Sequence, residues 1–277
     1  MAPRVHHLSC ATMCPYGASL FGRPGGPLGK FEVCAHVLLV ETEDVLVLVD
    51  TGFGTAEVAN PKLLGQPFSA LMRPQLSDHQ TAIRQVEALG FSASDVRHLV
   101  PTHLDIDHAG GLPDFPDAEL HVFRPEMDAV LKPGLRERPR YMKHQFAHGP
   151  KWRAHDVSGD EWLGFEAVHP LPGVDPDVLI VPLPGHSRGH SAVAVKGEAG
   201  WLLHCGDAYF HRGQVQTPPT CPPGWRAFQG LVGLERKRRL QNEERLRELN
   251  ERKGSEVRIF CAHDTDELES LRSGTSG

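Results

Sequence analysis

The chain has 277 residues, of which 40% are hydrophobic and 23% are charged, and its formal net charge is −6. This composition is typical of a globular protein, and the acidic balance gives no reason to expect a nucleic-acid partner. No run approaches the roughly 20 apolar residues that a membrane span needs, and the first nine residues contain no apolar run of a signal peptide. Since the cysteines are scattered as well, we expect a cytoplasmic protein without a membrane partner.

Short apolar runs with β-branched residues predict strands, and apolar residues spaced among charges predict helices. The strands are expected over 33–40, 45–50, 98–103, 119–123, 178–183, 191–196, 201–205 and 257–262. The helices are expected over 78–89, 125–131, 234–252 and 266–271. Because an early hairpin is followed by intermixed strands and helices, we expect two sheets with helices packed outside them. We expect a single domain over 1–277, with its core over about 33–264 and a disordered tail over 273–277.

Three stretches rich in proline and glycine, 51–76, 132–164 and 210–230, are predicted as loops. Long loops in a compact domain are often functional. The 132–164 stretch is a candidate substrate cover, because it carries side chains suited to apolar contact with a few polar anchors. These side chains are Tyr141, Phe146, His148 and Trp152. A folded surface loop without a role in binding is the alternative.

Five predicted strands lead directly into a carboxylate or an imidazole, and a glycine or a turn accompanies it. The five residues are Asp50, His103, His186, Asp207 and His263. A strand that stops in this way presents its polar residue at the edge of a sheet, where rigid elements position functional groups. The five together indicate one shared edge and one site.

The densest group of candidate ligands lies between Thr102 and Gly111, where four of them fall within six residues. In an extended segment His103, Asp105 and Asp107 would share one face, because the side-chain period is two. His108 would join them only if the chain turns, which the glycines that follow make easy. Buried carboxylates and imidazoles are costly without partners, and metal coordination removes that cost. The pattern therefore predicts a metal site that holds two cations.

The 102–111 segment resembles the HxHxDH signature of the metallo-β-lactamase superfamily. Further landmarks follow in the family's order, with LVDTG at 48–52, PGHS at 184–187, CGD at 205–207 and CAHD at 261–264. The resemblance covers most of the chain and implies a four-layer αββα sandwich of two mixed sheets flanked by helices. In motif context the chain looks most like the quorum-quenching lactonase branch and related esterases.

The resemblance also implies a division of the ligands. His103, position 105 and His186 would hold the first metal, and Asp107, His108 and His263 the second. Asp207 would bridge the two metals, and Asp50 would orient ligands by hydrogen bonding. The residues put forward as metal ligands are His103, Asp105, Asp107, His108, His186, Asp207 and His263.

This sequence departs from the family pattern at Asp105, where the family has a histidine. A carboxylate is a harder ligand that adds negative charge, which favours iron or manganese more than an imidazole does. Two zinc ions are the expected cofactors, with iron or manganese as alternatives. A single-metal enzyme is a further alternative.

The activity implied is hydrolysis by a metal-activated water, on an ester or lactone of a small molecule. Asp107 is the candidate proton acceptor. Tyr209, two residues after Asp207, is a candidate contact to the substrate carbonyl, and a tyrosine packed below the site is the alternative. A non-haem iron oxidoreductase, which Asp105 favours, and a phosphodiesterase or nuclease are the competing functions. A homodimer is also left open.

Overall fold

The computed structural model describes residues 2–174 and 177–274. Over these residues the strands are Arg4–Met13 (β1), Val33–Glu41 (β2), Leu46–Val49 (β3), Pro74–Gln75 (β4), Val96–Leu99 (β5), Glu119–Phe123 (β6), Lys151–His155 (β7), Asp160–Trp162 (β8), Phe165–Pro170 (β9), Val178–Pro182 (β10), Ser191–Gly197 (β11), Gly200–His204 (β12) and Val257–Phe260 (β13). The helices are Thr55–Ala59 (α1), Gln66–Met72 (α2), Ala82–Ala88 (α3), Ile106–Ala109 (α4), Arg124–Leu131 (α5), Pro223–Val232 (α6), Arg236–Lys253 (α7) and Thr265–Gly274 (α8).

The strands form two mixed sheets. In the described residues the first sheet has the order β4-β1-β2-β3-β5-β6-β7, and the second has the order β13-β12-β11-β10-β9-β8. Strands β1 to β3 pair antiparallel, whereas β3, β5, β6 and β7 run parallel. In the second sheet the parallel pair is β12 with β13. Parallel strands that share a sheet end at the same edge, so the loops that follow β3 and β5 emerge together.

The core has three apolar layers, because the side chains of each strand alternate between two faces. Between the sheets, side chains such as Val47 and Val49 pack against Ile180 and Val193. On the outer face of the first sheet, helices α3 and α5 cover the core, and on the outer face of the second sheet Leu246 of α7 does so. Full burial of such a side chain stabilises the fold by about 1.5–3 kcal/mol. The predicted sandwich of two mixed sheets between helices is confirmed.

Strand β1 was not predicted from the sequence, so the predicted core began too late in the chain. In β1 the apolar alternation is interrupted by His6, His7 and Ser9, yet the strand pairs with β2 along most of its length. Leu8 and Cys10 are buried in the outer core of the first sheet. Pairing and burial that depend on distant residues overrode a weak local pattern.

Several predicted boundaries also differ from the structure. The strand expected over 98–103 ends at Leu99, and the helix expected from Asp78 begins at Ala82 after a short 3-10 turn. Helix α8 includes residues 273 and 274 of the expected tail, while 275–277 lie outside the described residues. The stretches 51–76 and 210–230, predicted as loops, contain α1, α2 and α6. None of the helices in the described ranges is both long and apolar enough to span a bilayer.

Candidate metal centre

The segments that follow β3, β5, β10, β12 and β13 meet at one end of the layer between the sheets. They bring the seven predicted ligands into one cluster. The four imidazoles of this cluster, those of His103, His108, His186 and His263, are at most 4% exposed. Asp207 is also buried. Polar groups of this kind are costly to bury unless something binds them.

The HxHxDH-like segment does not have the extended conformation that the sequence analysis expected. Residues Ile106–Ala109 form helix α4, with Asp105 at its N-cap. The helical turn sends Asp107 and His108 to one side of the cluster and leaves Asp105 on the other. The turn is held close to the loop after β3, since a Cβ at Gly110 would lie only 2.6 Å from the carbonyl oxygen of Gly52. Only glycine fits there.

One part of the cluster, called the first half here, consists of His103, Asp105 and His186. Asp105 Oδ2 lies 3.4 Å from His103 Nε2 and 3.1 Å from His186 Nε2. Asp207 Oδ2 lies 3.4 Å from His186 Nε2 and 3.8 Å from His103 Nε2. Ligands at 2.0–2.1 Å around a tetrahedral zinc ion are about 3.4 Å apart. The first half has this spacing.

The second half consists of Asp107, His108 and His263. Asp207 Oδ1 lies 3.4 Å from His108 Nε2 and 3.1 Å from His263 Nε2. His263 Nε2 lies 3.7 Å from Asp107 Oδ2. Asp207 therefore turns one carboxylate oxygen toward each half, which is the arrangement that a bridging ligand needs.

The buried donors of the cluster fit metal ions. His103 Nε2 and Asp207 Oδ1 are buried without a hydrogen-bond partner in the described structure, and such unsatisfied groups are expensive. Burial raises the pKa of Asp207, but the imidazoles around it, His263 foremost, lower that pKa well below its usual range. Asp207 is thus ionised and ready to bind cations. One divalent ion in each half would satisfy these donors.

Neighbouring groups fix the orientation of the ligand imidazoles. Asp50 Oδ2 is 2.9 Å from His108 Nδ1, and Asp50 Oδ1 accepts the backbone N–H of Thr102 at 2.7 Å. His263 Nδ1 donates to the carbonyl oxygen of Cys34 at 2.6 Å. A proton on Nδ1 leaves the lone pair of Nε2 free for a metal, and such outer partners hold the ring in place. Asp50 adopts a φ of 60°, a strained conformation for a residue with a side chain.

Asp207 is also positioned by a histidine outside the ligand set. His190 Nε2 accepts the backbone N–H of Asp207 at 2.9 Å, and His190 Nδ1 donates to the carbonyl oxygen of Leu183 at 3.0 Å. Both ring nitrogens are therefore used in hydrogen bonds. His190 connects the loop that carries His186 to the loop that carries Asp207.

Arg140 is a further residue of the site that was not predicted from the sequence. Its Nε and Nη2 donate to the two oxygens of Asp105 at 2.7 and 2.6 Å, and its Nη1 donates to the carbonyl oxygen of Val232. Burial raises the pKa of Asp105, while Arg140 first and His103 second lower that pKa well below its usual range. The carboxylate and the guanidinium have a combined charge of zero, as a neutral imidazole has. The only signal in the sequence was an unexpected carboxylate that needs a counter-charge when buried.

A cavity of about 300 Å³ opens above the metal centre. Its floor includes Asp105, Asp107, His186, Asp207 and His263. Its wall is mainly apolar and comes largely from α2 and α6 and from Phe210. The apolar wall residues include Phe68, Leu71, Phe210, Trp225, Phe228 and Leu231. Such a cavity, apolar with a few polar groups at its base, is typical of small-molecule sites.

The four residues predicted to cover the substrate do not line this cavity. Tyr141 is buried in the outer core of the first sheet, and Phe146 and Trp152 pack against that core. His148 does not line the cavity either. The 132–164 stretch contributes Arg136, Pro139 and Arg140 instead. Tyr141, Phe146 and Trp152 face the first sheet, whereas Arg136 and Arg140 of the same stretch face the cavity.

Tyr209 is likewise absent from the cavity. It is fully buried, and its hydroxyl donates to Glu267 Oε1 at 3.0 Å. This is the packed alternative of the sequence analysis. The next residue, Phe210, lines the cavity, and its ring stacks on that of His263 with centroids 5.3 Å apart.

Fold and ligand set together are those of a metallo-hydrolase. A profile of the metallo-beta-lactamase superfamily matches residues 35–263. The chain belongs to this superfamily.

Similar proteins support the predicted likeness to the lactonase-like branch. A probable metallo-hydrolase of Mycobacterium tuberculosis is 45% identical over 270 residues, which are 97% of this chain and 83% of that protein. An N-acyl homoserine lactonase of Bacillus thuringiensis is 27% identical over 236 residues, covering 84% of this chain and 82% of the lactonase. Among solved structures, an N-acyl homoserine lactone hydrolase with N-hexanoyl-L-homoserine at its metal centre has a TM-score of 0.74 at 23% identity. That alignment covers 98% of this chain and 97% of the other, and it shows the fold.

Proposed function

We propose that this protein is a two-metal hydrolase that cleaves a carboxylic ester or lactone with an apolar acyl part. The observation that carries the proposal is the position of the seven-residue ligand cluster at the floor of an apolar cavity. Relatives named N-acyl homoserine lactonases point to the same bond type. We propose zinc as the metal in both halves. Cytoplasmic residence and a homodimer stay predictions.

Different residues of this chain would bind the metal ions and accept the proton. Bound divalent ions supply a hydroxide near neutral pH and polarise a carbonyl oxygen. His103, Asp105 and His186 would hold one ion, Asp107, His108 and His263 the other, and Asp207 both. The Asp107 carboxylate lines the cavity, with Oδ2 3.7 Å from His263 Nε2. Asp107 is therefore placed to accept a proton from the nucleophile.

The cavity wall would bind the acyl part and exclude water from the floor. Phe210, Trp225 and Phe228 form a contiguous aromatic surface, with ring centroids of Phe210 and Trp225 5.6 Å apart. Leu71 and Leu231, also in the wall, are 51% and 69% exposed. Apolar side chains this exposed become covered when a long acyl chain binds, at about 25 cal/mol per Å² of buried apolar area.

A substrate panel tests the proposal. The zinc-loaded protein is assayed on γ-lactones that carry N-acyl chains of increasing length, on an aryl ester and on an aryl phosphodiester. We expect lactone or ester turnover, with kcat/KM rising as the acyl chain lengthens. The Phe228→Ala variant should reduce this rise and leave short-chain turnover nearly unchanged.

Two other outcomes would overturn the proposal. Preferred cleavage of the phosphodiester would favour a phosphodiesterase. Stoichiometric iron in protein purified without added metal, together with oxygen consumption, would favour an oxidoreductase.

A further inference from the structure

A second group of histidines lies away from the metal centre, also between the two sheets. It contains His98 of β5, His121 of β6 and His155 of β7, with Glu119 beside them. We propose that His98, Glu119 and His121 form a separate site for one divalent transition-metal ion of the zinc type.

The backbone alone brings the three side chains together. Strands β5 and β6 are parallel neighbours, and their register places His98 opposite Glu119. His121 follows Glu119 by two residues and so points to the same face of the sheet. His98 Nδ1 lies 3.0 Å from His121 Nε2, and His121 Nε2 lies 3.9 Å from Glu119 Oε2. All three ligand atoms lie within 4.8 Å of one another.

The donor set suits such an ion. Two imidazoles and one carboxylate are a set of three protein ligands that zinc uses when a fourth position stays open. Only neutral imidazole binds a metal. Both rings are buried, with His98 7% and His121 0% exposed, and burial favours the neutral form of an imidazole. Glu119 is partly exposed, which gives the ion a path from solvent.

Outer partners hold two of the three ligands. His121 Nδ1 lies 3.1 Å from His155 Nε2, and Glu119 Oε1 accepts a hydrogen bond from Arg153 Nη2 at 2.5 Å. Metal-binding histidines usually use their second ring nitrogen in this way, and ligating carboxylates are likewise hydrogen-bonded. The three candidate ligands are therefore in place, and hydrogen bonds from neighbouring side chains orient two of them.

The alternative is a row of neutral imidazoles that only hydrogen-bond to one another, from His98 through His121 to His155. Such a row would not need Glu119, whose carboxylate is hydrogen-bonded to Arg153 rather than to an imidazole. The variant Glu119→Gln separates the two explanations, because it keeps the histidine row and removes a charged ligand. Glu119 is also the most exposed of the three residues, so the variant should fold.

The experiment measures how many zinc ions the 277-residue chain binds. Wild type, Glu119→Gln, His98→Asn and the control His79→Asn are stripped with a chelator, dialysed against buffered Zn²⁺ and analysed by mass spectrometry. His79 is a suitable control because it is exposed, lies on a 3-10 turn and bonds to Ser77. We expect wild type and the control to bind one ion more than the two variants, whose affinity for that ion should fall by about 10-fold or more.

A second readout identifies the ligands. One equivalent of Cu²⁺ added to wild type that holds only two zinc ions should give an electron paramagnetic resonance spectrum with coupling to two nitrogens, and His98→Asn should lose one of them. Lactone turnover should be equal in wild type and Glu119→Gln, so failure of this site is distinguishable from failure of the proposed activity. Equal zinc content in wild type and Glu119→Gln would overturn the proposal. This holds even if His98→Asn does not fold.

Discussion

Behind the imidazole of His108 in the second half of the metal centre lies the carboxylate of Asp50, whereas behind Asp105 in the first half lies the guanidinium of Arg140. Both halves offer two imidazoles and one carboxylate, and they share Asp207. Their donor atoms are therefore the same in kind, and their surroundings are opposite in charge. The comparison teaches that a carboxylate can take the place of an imidazole ligand when a buried cation cancels its charge. It also leads us to expect tighter cation binding in the second half, because Asp50 attracts a cation and Arg140 repels one.

The largest effect is expected where the two halves meet. Asp207→Ala removes a carboxylate with one oxygen facing each half. We expect the loss of both ions and of hydrolysis, measured by zinc content and by turnover of the best lactone. A variant that keeps either two ions or full activity would contradict the bridging role of Asp207.

The next effect should be confined to the second half. Asp50→Asn removes the negative charge behind His108, and asparagine tolerates the positive φ at this position. We expect a loss of roughly 10–100-fold in affinity for one ion, as is usual when an outer partner is changed. Chelator competition with stepwise zinc release measures this affinity. An equal loss of affinity for both ions would contradict the expectation that Asp50 acts on the second half alone.

Removal of Arg140 should change the affinity for the ion in the first half. This affinity should rise, whereas Asp50→Asn lowers the affinity in the second half. Arg140→Met leaves the charge of Asp105 uncompensated, so we expect the first-half ion to bind more tightly by roughly 10-fold, the size of effect that a nearby charge has on a titrating group. The metal-free protein should be less stable, because the partly buried carboxylate of Asp105 loses its partner.

The double variant Asp105→His/Arg140→Met is the matched control for this prediction. It places a neutral imidazole at position 105, which needs no counter-charge from position 140. The effects of the two substitutions should therefore compensate, and zinc affinity should return toward that of wild type. Weaker zinc binding in Arg140→Met alone would show that Arg140 orients Asp105 rather than balancing its charge.

The smallest effect is expected outside both halves, at Tyr209. Tyr209→Phe loses the hydrogen bond to Glu267 and should lower the free energy of unfolding by about 1 kcal/mol, as urea denaturation would show. Zinc content and kcat/KM should stay as in wild type, because this hydroxyl does not line the cavity. A large fall in kcat at unchanged stability would restore Tyr209 as a substrate contact.

The clustering of the candidate ligands could be predicted from the sequence, because each candidate belongs to a local pattern of residues. Apolar runs that end in Asp50, His103, Asp207 and His263 indicate strands that deliver polar groups to an edge, and the structure brings these residues together. The 102–111 segment identified the superfamily, which the profile match confirms. Short-range patterns work here because strands and the residues at their ends depend on neighbours in the chain.

The surroundings of the ligands were not predictable in the same way. Arg140 is 35 residues from Asp105 in the chain, and no local sequence pattern predicts that the two side chains pair. Tyr209 and Phe210 are adjacent, and only the packing of the turn after β12 decided that Phe210 faces the cavity. The cavity wall comes from α2 and α6, which lie in stretches whose prolines and glycines predicted loops.

The sequence by itself thus determined the fold class, the superfamily and the candidate ligands for metal ions. Tertiary structure decided which charge stands behind each ligand, which aromatic rings meet the substrate, and how helix α4 divides the ligands between the halves. The physical reason is the distance along the chain over which each property is determined. Backbone preferences and ligand chemistry belong to single residues and their neighbours, whereas burial, charge pairing and cavity shape arise between segments far apart in the chain.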